Sequence, residues 1–215
     1  MRPNYQLAIF DLDGVLTETS EMHFKAWSIL FKKHFDIRID PKLESLTKGV
    51  SRMDSIKVLL KAYHLDETLN EQEIFNLAQE KNKTYQSLIK DLTPKDLFDG
   101  VIALFDYLKG NHIKIALGSA SKNGPLIIEK LGITHYFDVV VDPSKNKGKP
   151  APDIFLSACH ALNLSPHQCI GFEDAKAGVT AIKKAGMTAI GIGSEDLSQA
   201  DYCFKHIKDV PYDLL

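Results

Sequence analysis

Five short runs of apolar residues, rich in Ile and Val, decide what this chain can fold into: residues 6–13, 113–119, 136–142, 168–173 and 188–193. From residue 101 onward, stretches with helical spacing separate most of them. Fully apolar strands alternating with helices are the pattern of a parallel sheet covered on both faces, because such strands have no side to turn to water. Residues 20–92 have a different texture. Segments 21–35, 52–65 and 70–90 place apolar residues three and four apart, and no convincing strand lies between them. The reading is an α/β protein: a discontinuous sheet unit of residues 1–17 and 93–215, interrupted after its first strand by an all-helical insert, 18–92. Gly14 to Thr19 marks the exit from the sheet, and Thr93-Pro94 the return. With 215 residues, 44% of them hydrophobic, the chain can bury one large core and a small second one.

An open parallel sheet places its ligand at the carboxyl ends of its strands, so the residues that follow each run matter most. The first run ends in AIFDLDGVLTET, with Asp11 and Asp13 two apart; in extended chain both face one way, crowding their charges. The second run ends in Ser119, Ala120, Ser121, Lys122 and Asn123, and the fourth in Glu173 and Asp174. Lys149 lies in GKPAPD, just before the fourth run. Each has an ordinary alternative. Asp174 and Asp153 suit the start of a helix, Ser121 suits an N-cap, and Lys149 alone reads as a solvated loop lysine. Taken together, four carboxylates and a lysine at one sheet edge are frustrated unless a divalent cation and an anionic ligand join them. An all-oxygen ligand set favours Mg²⁺, and the scattered His and Cys disfavour zinc. Phosphate fits the rest: Ser119 and the amides after it stand where a strand turns into a helix N-terminus, and Lys149 adds positive charge. There is no GxxxxGK[ST] segment, and Gly191-Ile192-Gly193 lacks the third glycine of a dinucleotide loop, which leaves a carboxylate as the nucleophile.

The formal charge of −2 and the absence of a basic block argue against nucleic acid as a partner. No stretch approaches a membrane span, and Cys159, Cys169 and Cys203 form no CxxC pair, so a cytoplasmic protein with structural thiols is expected. Within the insert, Ile74, Leu77, Ala78, Tyr85 and Leu88 form one helical stripe, and Lys81 falls on it. A lysine there either snorkels or points at something.

The order DLDG (11–14), SASKN (119–123), GKPAPD (148–153) and GFEDAKAG (171–178) resembles the haloacid dehalogenase-like phosphotransferase superfamily across essentially the whole chain. TETSEMHFKAW (17–27), KGVSR (48–52) and SASKNGP (119–125) resemble its β-phosphoglucomutase branch. The resemblance implies a Rossmann-like core, with the insert as a small cap. It implies Asp11 as the nucleophile and Asp13 as general acid and base. Mg²⁺ would be held by Asp11, the Asp13 backbone carbonyl, Glu173 and Asp174, and Ser119 and Lys149 would grip the transferring phosphoryl group. The implied reaction interconverts β-glucose 1-phosphate and glucose 6-phosphate through an aspartyl-phosphate and β-glucose 1,6-bisphosphate, with sugar phosphates as the partners and a monomer as the expected unit. A bisphosphate needs a second phosphate grip, for which Arg52, Ser121, Lys122 and Asn123 are candidates; Gly49, Val50 and Ser51 would let the cap loop approach the substrate. The alternative for Arg52 is a solvated residue in a helix-start turn. His23 and Lys81 would meet the sugar or couple cap closure to Asp13, Trp27 would be cap core or a sugar-facing surface, and Thr19 would belong to the hinge. A sugar-phosphate phosphatase on the same scaffold is the main alternative, and a non-catalytic sugar-phosphate binder the other. Ala175 stands where relatives often have Ser, Gly118 precedes Ser119, and the 143–149 connection is lysine-rich.

Overall fold

The computed structural model describes residues 5–194 and 196–215; residues 1–4, the first part of the expected sheet unit, lie outside it. Six parallel strands, β1 (Leu7–Phe10), β2 (Lys114–Leu117), β3 (Val139–Val140), β4 (Cys169–Glu173), β5 (Thr188–Ile192) and β6 (Tyr202–Phe204), form one sheet in the order β3-β2-β1-β4-β5-β6. Helices α1 (Ser20–Phe35), α2 (Arg52–Ala62) and α3 (Glu71–Leu88) make the insert, and α4 (Val101–Gly110), α5 (Gly124–Lys130), α6 (Asp153–Ala161) and α7 (Lys176–Lys184) flank the sheet. Among the described residues no helix is long and apolar enough to cross a membrane.

The expected α/β architecture is present, with apolar layers on both faces of the sheet. On β1, Ala8 and Phe10 enter one core with Ile115, Leu117, Ile170 and Phe172. Leu7 and Ile9 enter the other, against Phe155, Ala158 and Ile182 of α6 and α7. The Phe10 ring stacks on Phe172 at 4.4 Å and meets Phe105 edge-on at 5.1 Å. The insert has a third core of its own, around Trp27, Phe31, Ile56, Leu60 and Leu77. Ala26, Tyr85 and Ile89 pack instead into the sheet's core, which seats the insert on it.

Three expectations need correction. The first strand stops at Phe10, and Asp13 forms an isolated bridge with Thr17, so Asp11 and Asp13 do not share a strand face. The chain turns there because the amides of Val15 and Leu16 fold back on the Leu12 carbonyl and Gly14 N–H donates to Thr17 O at 2.9 Å. The 136–142 run narrows to two strand residues after a 3-10 turn at Thr134–Tyr136. Edge strand β6 is an addition: Tyr202 and Cys203 are exposed, so it carries no apolar run to announce it.

The helical bounds follow local chemistry. At the start of α3, Asn70 Oδ1 accepts from Glu73 N–H at 3.0 Å while Glu73 accepts from Asn70 N–H at 2.8 Å, a reciprocal cap. Helix α1 has Glu21 in its first turn and Lys32, Lys33 and His34 in its last, matching the helix dipole, and ends at Asp36 in the left-handed region. Strand order reverses between β1 and β4. The register pairs Phe10 with both Leu117 and Phe172, so the residues after β1, β2 and β4 emerge side by side at this switch point.

Candidate active site

Asp11 leaves β1 with its N–H on Phe172 O at 3.0 Å, and Gly118 N–H donates to Phe10 O at 2.8 Å. These bonds continue the register past Phe10, levelling Asp11 with Glu173 and with Gly118, the residue before Ser119. The Lys149 ammonium sits between Asp11 Oδ1 at 2.7 Å and Glu173 Oε1 at 2.5 Å, and all three residues are buried. Burial alone would lower the Lys149 pKa; Asp11 and Glu173 outweigh it and raise it. Burial pushes Glu173 up to about 7, with Lys149 pulling the other way, and burial, then Glu173 and Asp11, holds Asp174 well above the ordinary carboxylate range. Oxygens of Asp11, Glu173 and Asp174 lie within 4.8 Å of one another. Three close carboxylates facing one ammonium form a donor set that suits a hard divalent cation. The helix-start reading holds for Asp153, in the first turn of α6, and not for Asp174, which lies before α7 among the cluster's carboxylates; Glu173 Oε2 accepts from Ala175 N–H at 2.9 Å.

Asp13 stands apart from this cluster. Its Oδ1 accepts from the Thr19 hydroxyl, and His23 Nε2 lies 3.8 Å from Oδ2. Burial and then the Asp11 charge raise its pKa to about 8, against the pull of Lys81 and Lys149. The expected hinge residue Thr19 is thus buried and holds Asp13. Lys81 Nζ is 2.6 Å from His23 Nδ1. When Lys81 is protonated it can only donate, so Nδ1 then accepts and the neutral ring carries its proton on Nε2, toward Asp13. Burial, followed by Lys81 and Arg52, lowers the His23 pKa well below its usual value. At 1% exposure Lys81 does not snorkel. Its charge lies 4.8 Å from the Trp27 ring centre and 4.9 Å from that of Tyr85, and Tyr85 stacks on His23 at 3.8 Å. Burial and Arg52 lower the Lys81 pKa to about 7, with Asp13 opposing.

In the turn after β2, Ser119 Oγ accepts from Ser121 N–H at 3.1 Å and Ser121 Oγ accepts from Asn123 N–H at 3.3 Å. Ser121 therefore caps this turn, and α5 starts only at Gly124. A cavity of about 310 Å³ lies between sheet and insert. Asp11, Asp13, Asp174 and Lys149 line it, as do Ser119 to Lys122 from the core and His23, Trp27, Gly49 to Arg52 and Lys81 from the insert. Glu173 lies outside the lining, as does Asn123, whose amide is taken by Asn82 and Gln86 of α3. Gly49 has φ +69°, and a Cβ there would stand 3.0 Å from Ala175 Cβ, so the insert loop rests on the turn after β4. Ser51 Oγ caps α2 by accepting from Asp54 N–H at 3.2 Å, and Arg52 donates to Gln79 Oε1 at 3.2 Å. Arg52 is thus both a helix-start residue and a lining cation. Sequence reasoning missed Gln79, Tyr85 as a ring partner of His23, and Asn146 and Lys147 in the lining. The lysine-rich 143–149 connection was the available signal for the last two.

Residues 5–186 match the haloacid dehalogenase-like hydrolase family. β-Phosphoglucomutase from Bacillus subtilis (strain 168) is 42% identical over 209 residues, covering 96% of this chain and 92% of that protein. The crystal structure of β-phosphoglucomutase from Clostridium difficile matches with a TM-score of 0.94 at 40% identity, over 97% of this chain and 94% of that one. The phosphorylated carbohydrates phosphatase of Thermotoga maritima is 31% identical over 192 residues, covering 86% of this chain and 83% of that protein. By these likenesses and its four ordered motifs, the chain belongs to the haloacid dehalogenase-like hydrolase family, in the β-phosphoglucomutase branch.

Proposed function

We propose that the protein is a Mg²⁺-dependent phosphomutase that interconverts β-D-glucose 1-phosphate and D-glucose 6-phosphate through an aspartyl-phosphate on Asp11 and β-glucose 1,6-bisphosphate. The observation that carries this reading is one cavity lined both by Asp11 with Lys149 and Ser119, and by a further cation from the insert, Arg52. A phosphatase needs one phosphate grip; a bisphosphate intermediate needs two.

Asp11, Glu173 and Asp174, with the Asp13 backbone carbonyl, would hold Mg²⁺, which when bound neutralises charge on the carboxylates and the phosphoryl oxygens. Asp11 attacks phosphorus, a P–O bond to its carboxylate forms, and the bond to the departing sugar oxygen breaks. Asp13, with its pKa raised to about 8, carries a proton at neutral pH and gives it to that oxygen. In the return step Asp13 takes the proton of the sugar hydroxyl that attacks the aspartyl-phosphate. Thr19 and His23 keep the Asp13 carboxyl directed, while Lys149 and Ser119 hold the group in transit. Arg52, Ser121 and Lys122 bind the other phosphate. We read residues 18–92 as a cap that excludes water while the phosphoenzyme waits for sugar. Every group invoked comes from a single chain, as a monomer requires, and the three free cysteines suit a cytoplasmic setting.

The test incubates the protein with β-glucose 1-phosphate, Mg²⁺ and a trace of β-glucose 1,6-bisphosphate, following glucose 6-phosphate and free phosphate together. Glucose 6-phosphate in clear excess, lost without Mg²⁺ and lost in Asp11→Asn, is the expected result; free phosphate as the main product assigns a phosphatase instead.

A further inference from the structure

Helix α3 touches the core through polar contacts that the catalytic groups do not account for. Asn82 and Gln86, four apart and so on one face, reach the start of α5, where the Asn123 side chain lies between them. Asn123 is 6% exposed. Its Nδ2 donates to Asn82 Oδ1 at 2.9 Å and its Oδ1 accepts from Gln86 Nε2 at 3.1 Å, so both ends of the amide are engaged. Asn123 N–H continues the chain to Ser121 Oγ, and Ser121 N–H continues it to Ser119 Oγ. Next to Asn82 on the same helix is Lys81, which holds His23 beside Asp13. One helix therefore touches the turn that presents Ser119 and the residues that direct the acid and base. The apolar contacts of Tyr85 and Ile89 with the core are not directional; the amides fix the position of α3 along it.

We infer that Asn82 and Gln86 are positioning residues: with Asn123 they latch α3 to the phosphate turn, and the latch sets how the aspartyl-phosphate is divided between sugar and water. The inference rests on the mutase reading. In both outcomes the P–O bond to Asp11 breaks and an acceptor O–H loses its proton to Asp13; only the acceptor differs. A loosened latch leaves the cavity open longer, and water takes the larger share.

Gln86→Leu keeps the bulk and removes the donor. Losing one hydrogen bond of ordinary net strength should raise the ratio of free phosphate to glucose 6-phosphate about fivefold, with a similar rise in KM for β-glucose 1-phosphate. Phosphoenzyme formation from acetyl phosphate should stay at the wild-type rate. Gln86→Glu should restore the wild-type ratio, because the Asn123 and Asn82 amides can turn over to donate toward the carboxylate. A separate readout is the fluorescence of Trp27, the only tryptophan and a lining residue, titrated with glucose 6-phosphate. Its midpoint should rise about fivefold in Gln86→Leu and not in Gln86→Glu, for one hydrogen bond lost. An unchanged product ratio together with an unchanged midpoint in Gln86→Leu, even with a lowered urea midpoint, overturns the latch. Free phosphate as the main product of the unmodified protein overturns the mutase reading instead, and the Trp27 titration then still decides the latch.

Discussion

Gly178, the third residue of α7, gives the sharpest test of how the site is built. A helical Gly→Ala exchange ordinarily stabilises by about 0.5–1 kcal/mol. Here a Cβ would fall 1.8 Å from Glu173 Oε1 and 1.9 Å from its carboxyl carbon, and Glu173 is fully buried. Glu173 must swing away, giving up Lys149 at 2.5 Å and the Ala175 N–H at 2.9 Å. Breaking a buried charge pair from one side costs about 3–5 kcal/mol. Lys149 keeps Asp11 at 2.7 Å, which sets the loss at the lower end. With the helix gain deducted, Gly178→Ala should destabilise the metal-free protein by about 2–4 kcal/mol. Urea unfolding in the presence of a chelator measures this. The decisive comparison is a cycle with Glu173→Ala, in which the obstructing carboxyl is gone and Gly178→Ala should instead stabilise, by about 0.5–1 kcal/mol. Equal destabilisation in both backgrounds would refute the reasoning, because the effect would then owe nothing to Glu173.

Two further outcomes are expected. Arg52→Ala should raise the β-glucose 1,6-bisphosphate concentration needed for half-maximal rate by roughly 10- to 100-fold, the worth of a charged hydrogen bond, while sparing phosphoenzyme formation from acetyl phosphate; equal loss in both assays would contradict a grip on the second phosphate. Lys81, lowered from 10.5 to about 7 in the fold, binds fewer protons there than in the unfolded chain across that window. Its contribution therefore grows as pH rises from about 7 toward 10.5, by up to roughly 1.4 kcal/mol per pH unit, and is lost as pH falls through about 7. Urea midpoints of wild type minus Lys81→Met should show this rise between pH 8 and 9, and a flat difference would mean that burial does not hold Lys81 back.

The large-scale plan was legible because it rests on repeated signals. Strands buried on both faces must be apolar throughout, and the polar residues that end them declare the site edge. The α3 stripe was equally readable: Ile74, Leu77, Ala78, Lys81 and Tyr85 are its buried residues, as spacing required. Failures came where a single local bond overrides a pattern. The 8–13 segment reads as continuous strand until the Leu12 carbonyl captures the following amides. Asn123 sits in a phosphate-turn motif, yet its side chain is taken by Asn82 and Gln86, two polar residues beside the buried stripe of α3 that no periodicity singles out. Strand β6 needs no apolar signature because it covers only an edge.

Charge is unevenly distributed along the cavity. Asp11 and Glu173 share the Lys149 ammonium with Asp174 close by, and burial raises the pKa of Glu173 and Asp174, so negative charge is costly at this end of the cavity. Arg52 and Lys81 on the insert are both held below their usual pKa, burial being the first cause, and Arg52 bears on Lys81, so positive charge is costly at their end. Two additions would relieve both: a divalent cation at the carboxylates and a phosphate dianion near Arg52. On the proposed function, a sugar carrying phosphate at each end would meet both demands in one molecule.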